Sequence, residues 1–425
     1  MKYQAPRGVK DLLPPDSETF RQLEDEIREV FGRSGFREVR LPVFESADLF
    51  SRSIGESTDI VEKEMYLFSG KGGESLALRP EGTASLIRAA IEHRLAEPGH
   101  VERLYYQGPM FRHERPQAGR LRQFHQAGAE LLGSSDPDDD VDLIATVSRH
   151  AGATNVPASR LLINSMGCPE CRPVYREILV SYLVKNRDLL CETCQRRTET
   201  NPLRVLDCKI PSCQPVLEAA PHLVDFLCPA SRNHFERVCR GLEGESLSFT
   251  VTHRLVRGLD YYTETAFEWV SDALGAQSTW AAGGRYNGLV RHLGGADVPG
   301  VGLAIGLERL FLLRELAGTL PQATRPAVHL AIHPLEETAR PYAHRILAAL
   351  RFQGISAVGI FGQARIKKAF LQAEREGALF IGLLGGDELS AGTITLKHLG
   401  SGIQKTLPAF PPEELADALR APWTP

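Results

Sequence analysis

Apolar residues at Phe20, Leu23, Ile27 and Val30 recur at helical spacing over 16–32, behind a Pro-Pro-Asp start, and predict an amphipathic helix. Residues 36–50 alternate instead, so a strand is expected there, and Pro42 confines it to an edge or an interface. Helical spacing returns over 81–95, with Ala84, Ile87, Ile91 and Leu95 on one face. A strand pattern opens at Arg103 in RLYYQGPMFRHE. The polar run SSDPDDD at 134–140 reads as a break, followed by a helix over 141–151 and a strand over 160–165. Strand-like stretches follow at 248–256 and 266–270, and GVGLAIGLERLFLL reads as one strongly apolar helix.

Two stretches differ in character from the rest. Residues 167–240 combine helical runs with clustered cysteines and a proline-interrupted segment, and read as an insertion within a larger domain. A proline-bearing linker at 317–326 then separates a final segment. There AVHLAIH, SAVGIF, ALFIGLLG and TITLKHL alternate with helical runs around Ile346 and Phe370, which predicts a small α/β domain with a largely parallel sheet. No internal repeat is visible.

The composition, 425 residues with 43% hydrophobic and 24% charged, excludes a disordered, collagenous or membrane-spanning chain. The length suits two or three domains. Net charge is only -4, which by itself points to no polyanionic partner, but the basic residues are mostly arginine, the better bidentate ligand for phosphate and carboxylate. The first residues carry no apolar leader core, and a cytoplasmic protein is expected. Eight cysteines are too sparse for a disulfide scaffold, yet six fall between Cys168 and Cys213.

Five segments offer chemistry. In residues 102–130, Arg103, Arg112, Arg115, Arg120 and Arg122 sit on a strand–loop–strand pattern that can aim guanidinium groups at one anion; a solvated basic hairpin is the plain alternative. LALRPEGTASLIRAAIEHR brings Glu81, Gly82 and Thr83 to a helix start, which capping alone explains. LVRGLDYYTETAFEW gathers Arg257, Asp260, Tyr261 and Tyr262, or else forms a turn with aromatic core residues. AAGGRYNGLVRHLGG is a paired-glycine loop ending in Arg285 and Tyr286. GLERL sets Glu308 and Arg309 among apolar neighbours, where each charge needs a partner.

In this order the segments resemble the class II aminoacyl-tRNA synthetases, and within them the histidyl-tRNA synthetases. GFREVRLPVFE is similar to motif 1, the dimer-interface motif, GPMFRHERPQAGRLRQFHQ to motif 2 and GLAIGLERL to motif 3. LVRGLDYYTETAFE and AAGGRYNGLV resemble the two histidine-specific signatures, although Ala281-Ala282 stands where more glycine is usual and Asn287 replaces a common aspartate. The resemblance implies an α+β catalytic domain with an antiparallel class II synthetase-type sheet over 1–166 and 241–320. It also implies a mostly helical insertion over 167–240 and a C-terminal α/β anticodon-binding domain over 326–425.

It further implies a homodimer that joins histidine to tRNA(His) using ATP, with Mg2+ brought in on the nucleotide. Arg112, Arg257 and Arg309 would carry the reaction on the ATP phosphates. Glu81, Thr83 and Gln126 would hold the amino end of histidine and Glu130 and Tyr262 its ring nitrogens, with Gly82, Tyr261 and Tyr286 also in the histidine site. Gln117 and Arg120 would meet the tRNA acceptor end, and Arg365, Lys367 and Lys368 the anticodon region. The runner-up resemblance is the regulatory subunit of ATP phosphoribosyltransferase, a non-aminoacylating relative without the anticodon-binding domain.

Cys168-x2-Cys171 and Cys191-x2-Cys194 have the spacing of a structural zinc site, with Cys208 and Cys213 as further candidates. Reduced structural thiols are the alternative, since the family it resembles is not one of zinc enzymes; either way the group would support the insertion and not the chemistry.

Overall fold

The computed structural model describes residues 3–55, 58–117, 119–256, 259, 261–275, 278–322, 328–362 and 365–423. The chain divides into two units, Met1–Gln322 and Ala323–Pro425.

An eight-stranded sheet organises the first unit. From one edge its strands are Arg37–Glu38, Glu102–Phe111, Gln123–Leu132, Gly300–Gly306, Thr279–Arg285, Thr263–Ser271, Ser159–Ser165 and Phe249–Val251. The inner six run antiparallel, and only the two edge pairs are parallel. The Asp16–Arg33 helix buries Phe20, Leu23 and Ile27 as its spacing predicts, but its fourth stripe residue is Phe31, with Val30 left half-buried at the edge of the core.

Several local expectations change. Residues 36–50 form two short strands, Arg37–Glu38 and Phe44–Ser46, and then turn helical at Ala47–Ile54. Pro42 falls between the strands, where its missing N–H costs no ladder bond. SSDPDDD is a helix start and not a break: Asp136 accepts from the Asp138 amide, Pro137 takes the first helical position, and three aspartates sit at the positive end of Pro137–Ala153. GVGLAIG is the strand Gly300–Gly306, fully paired on both sides, and the helix begins only at Leu307.

The described part of 167–240 is helical, with Cys171–Lys185, Glu192–Thr200, Gln214–Glu218 and the start of Pro229–Gly244 as its α-helices. It connects Ser159–Ser165 to its parallel neighbour Phe249–Val251, a pairing that requires a crossover. Leu179, Leu183, Val205 and Leu217 share one apolar cluster with Phe267 and Trp269 of the sheet.

The second unit carries a five-stranded sheet in the order Ala357–Gly359, Leu330–Pro334, Phe380–Leu384, Thr393–His398, Gln404–Pro408. The first three strands are parallel, but Thr393–His398 reverses, so the sheet is mixed and not largely parallel. Only the short Gly386–Ala391 helix separates it from Phe380–Leu384, too little chain for a parallel crossover. Among the described residues no helix is long and apolar enough to cross a membrane.

Candidate active site

A cavity of about 330 Å³ opens over the middle of the large sheet. Glu81 and Thr83 reach it from the start of the Thr83–Glu92 helix, Tyr106, Phe124 and Gln126 from two adjacent strands, and Arg309 from the helix that follows Gly300–Gly306. Arg112, Arg120, Tyr261, Tyr262, Glu268 and Glu308 complete its polar wall.

Glu81 is both a cap and a wall residue. Its carboxylate accepts the amides of Thr83 and Ala84 at 2.6 and 2.9 Å, and burial pushes its pKa up while those amides pull it back. Thr83 in turn donates its hydroxyl to Glu130 at 2.6 Å, and Tyr286 donates to the other Glu130 oxygen at 2.5 Å. Glu130 and Tyr286 therefore lie behind the wall; Glu130 is completely buried. Burial drives the Glu130 pKa to about 8, against the pull of the two hydroxyls.

Glycines make room for this group. Glu130 pairs in register with Gly302, where a Cβ would fall 1.6 Å from its Oε2. The Tyr106 ring occupies the space a Cβ would need at both Gly82 and Gly128, at 2.1 and 2.3 Å. Gly82 thus serves packing and is not itself on the cavity wall. Gln126 has a buried Oε1 that accepts no hydrogen bond from the described residues, an expensive state unless a ligand supplies the donor. Tyr261 is half-buried on the cavity wall, and burial raises its phenol well above the usual value.

The arginines form a second group. Arg112 donates to the Pro80 carbonyl at 2.8 Å and lies over the Phe124 ring at 5.3 Å. Arg120 pairs with Glu114. Arg309 donates to the carbonyls of Gly119 and Thr279 at 2.9 and 2.5 Å, so its guanidinium is oriented by backbone alone. Burial, then the nearby Arg120, lowers the Arg309 pKa. Glu308 binds His125, whose ring lies 2.8 Å away and is held above its usual pKa; burial opposes this, and the Glu308 bond and charge outweigh it.

Other expected residues sit elsewhere. Arg103 pairs with Asp139 and Asp142, Arg122 holds the carbonyls of Arg7 and Glu114, and Arg115 is exposed, so only two of the five clustered arginines reach the cavity. Arg285 is wholly buried against Asp140 and the Ser134 and Asp136 carbonyls, a structural pin. Gln117 is exposed at the loop tip, its backbone paired with that of Arg120. Arg257 and Asp260 lie outside the described residues. In the second unit, Arg365, Lys367 and Lys368 are exposed at the start of the Ile366–Arg375 helix.

Sequence reasoning missed Tyr106, Glu114, Phe124, Glu268 and Trp280. Alternation along Gln123–Leu132 puts Gln126, Gly128 and Glu130 on one face, and the register then brings Tyr106 opposite Gly128. That signal needs the strand pairing, which no single sequence displays.

A mainly antiparallel sheet under a cavity lined by arginines and backed by a buried carboxyl–tyrosine group is the architecture expected of a class II aminoacyl-tRNA synthetase. The sequence model described as histidyl-tRNA synthetase matches residues 8–310, and that of an anticodon binding domain matches 329–421. The histidine–tRNA ligase of Trichlorobacter lovleyi is 47% identical over 399 residues, 94% of each chain. The apo histidyl-tRNA synthetase of S. aureus superposes with a TM-score of 0.80 at 35% identity, covering 99% of this chain and 100% of that one. An ATP phosphoribosyltransferase regulatory subunit/histidyl-tRNA synthetase from Bacillus halodurans, 18% identical over 91% of this chain and 99% of its own, shares the fold with a TM-score of 0.61. The chain belongs to the histidyl-tRNA synthetase family.

Proposed function

We propose that the chain is a histidine–tRNA ligase. The histidine carboxylate attacks the α-phosphate of ATP, pyrophosphate leaves, and a hydroxyl of the tRNA 3′-terminal ribose then takes the acyl group and releases AMP. The observation that carries this reading is the joint presence of two chemical groups in one cavity: the arginines Arg112, Arg120 and Arg309, and the Glu81–Thr83–Gln126 set backed by Glu130. The first suits phosphates and the second an amino acid.

Both steps need positioning and charge stabilisation more than a nucleophilic side chain. Arg112 and Arg309, each oriented by backbone carbonyls, hold the ATP phosphates, with Arg257 as the third cation. Mg2+ enters on ATP as part of the substrate. The unpartnered Gln126 oxygen, with Glu81 and Thr83, takes the α-ammonium group. Tyr261 and Tyr262 flank the imidazole, and the buried Glu130 reads its N–H through the network it shares with Thr83 and Tyr286. A site built on such bonds rejects ligands that lack them.

Gln117 and Arg120, at the loop, meet the tRNA acceptor end, and Arg365, Lys367 and Lys368 meet the anticodon region. Homodimer formation is supported by apolar exposure at Val43, Phe44, Leu67 and Phe68 beside the segment that resembles motif 1. A cytoplasmic setting, where the eight thiols stay reduced, belongs to the same proposal.

The matching anticodon-binding segment and the near full-length ligase relatives favour this reading over the regulatory subunit. ATP–pyrophosphate exchange across the amino acids tests it. Exchange with histidine alone, abolished in Arg112→Ala, is expected; exchange with another amino acid, or none by folded protein, overturns it.

A further inference from the structure

Seven of the eight cysteines, all in or beside the helical crossover, fall into two groups that the sequence spacing pairs differently. Cys168 and Cys171 join Cys228, whereas Cys191 and Cys194 join Cys208 and Cys213, with each group's sulfurs within 4.8 Å of one another. The second group has four thiols in the order C-x2-C-x13-C-x4-C, three of them buried. Cys191 precedes the Glu192–Thr200 helix and Cys194 lies in its first turn, so one turn of helix supplies two sulfurs. Cys213 ends the short 3-10 helix Pro211–Cys213, Cys208 lies just ahead of it, and the two supply the other sulfurs.

The dimensions suit one ion. Sulfurs at the zinc–thiolate distance around a tetrahedral centre lie about 3.8 Å apart, and Cys191 and Cys208 are separated by 3.9 Å. Backbone amides already point at the ligands: the Cys191 N–H donates to Cys213 Sγ at 3.2 Å and the Ile210 N–H to Cys208 Sγ at 3.4 Å. Such donors stabilise thiolates around a metal. A disulfide would use two sulfurs and leave two, and a polynuclear iron–sulfur cluster would need its cysteines farther apart to enclose several irons.

We propose that Cys191, Cys194, Cys208 and Cys213 bind one structural Zn2+ as four thiolates, releasing four protons. The ion fixes a clamp on the active-site wall. Arg197, on the helix that Cys191 and Cys194 open, binds Asp59 at 2.8 Å, and Arg204 reaches the same carboxylate at 3.7 Å. Asp59 adjoins Ile60, a wall residue of the cavity, and leads to Glu64, whose carbonyl accepts the His113 amide at 2.7 Å. Arg197 and Arg204 are therefore positioning residues, and zinc positions them.

The three-sulfur group also receives backbone amides, from Cys228 on Cys171 Sγ at 3.1 Å and from Ser231 on Cys228 Sγ at 3.5 Å, but in place of a fourth thiol it has the Ser231 hydroxyl, at 3.5 and 3.6 Å, which donates to Glu264. The test is accordingly read as a difference. Metal content of the full chain, purified from zinc-supplemented culture without a metal-affinity step, is compared with that of C191S/C194S and C213H. The proposal predicts that C191S/C194S loses one equivalent of zinc per chain and that C213H, which keeps a fourth ligand, retains it. Cobalt exchanged into the wild-type chain should give the charge-transfer and ligand-field bands of tetrahedral thiolate, a readout that holds even if C191S/C194S fails to fold. Chelation of the wild-type chain should raise KM for ATP severalfold with a smaller change in kcat, and zinc-loaded R197A should reproduce that split. Zinc no higher than in a zinc-free control protein, unchanged content in C191S/C194S, or iron in place of zinc would overturn it.

Discussion

Glutamine at position 130 keeps the shape of the side chain and removes its titration. Glu130 is fully buried, and its pKa rises from 4.5 to about 8, with burial the largest cause. The folded protein therefore holds a proton there that the unfolded chain releases. This contribution to stability is fully present below 4.5 and is lost as pH rises through 8. Each pH unit inside that window changes the balance by about 1.4 kcal/mol. Between pH 5.5 and 7.5, wild-type stability should thus fall relative to Glu130→Gln by roughly 2.7 kcal/mol, on top of a constant offset for the altered bonds to Thr83 and Tyr286. Urea unfolding of both proteins at matched pH, followed by tryptophan fluorescence, measures the difference. A difference constant with pH would refute the reasoning, because it would mean that Glu130 stays ionised behind the wall. Under the proposed histidine site, the variant should also raise KM for histidine while leaving KM for ATP nearly unchanged.

Arg285→Met leaves the buried Asp140 with only the more distant His234 at 3.7 Å and should cost about 3–5 kcal/mol, seen as a large drop in melting temperature; an Asp140→Leu change made with it should recover much of the loss. Arg309→Ala removes a cation held by the Gly119 and Thr279 carbonyls, and histidine-dependent pyrophosphate exchange should fall about a hundredfold or more, with circular dichroism unchanged. Alanine at Arg365, Lys367 and Lys368 together should raise KM for tRNA and leave amino acid activation alone, and equal loss of both reactions would contradict an anticodon-side role.

Much of the fold was legible because period and punctuation agreed with tertiary structure. Phe20, Leu23 and Ile27 lie on the buried face of a helix, and the strand–loop–strand of residues 102–130 forms two adjacent strands of the large sheet. Where the reading failed, local chemistry had two meanings. Asp138, Asp139 and Asp140 are polar enough for a loop, but they also favour the first turn of a helix, and Asp140 is buried because Arg285 reaches it across the fold. GVGLAIG is uniformly apolar, and its strand character comes from pairing on both sides, which periodicity does not encode.

The candidate site was legible where one segment carried a residue pattern, as in Glu81 to Thr83 or Arg112 to Arg120. It was illegible where two strands had to be set in register. Gly302 beneath Glu130 and Gly128 beneath Tyr106 are spaces, and a space has no signature until its occupant is known. The cysteine spacing likewise suggested one four-thiol set from Cys168, Cys171, Cys191 and Cys194, whereas the crossover brings Cys228 back to the first pair and Cys208 and Cys213 to the second.

Charging of tRNA(His) with labelled histidine tests the central claim most directly, because it requires the arginine set, the histidine pocket and the tRNA-binding surfaces in one turnover sequence. The account predicts acid-precipitable histidine on tRNA(His), dependent on ATP and Mg2+, with other tRNAs left uncharged. Histidine binding without any charging of tRNA(His), the behaviour of a regulatory relative, would contradict it.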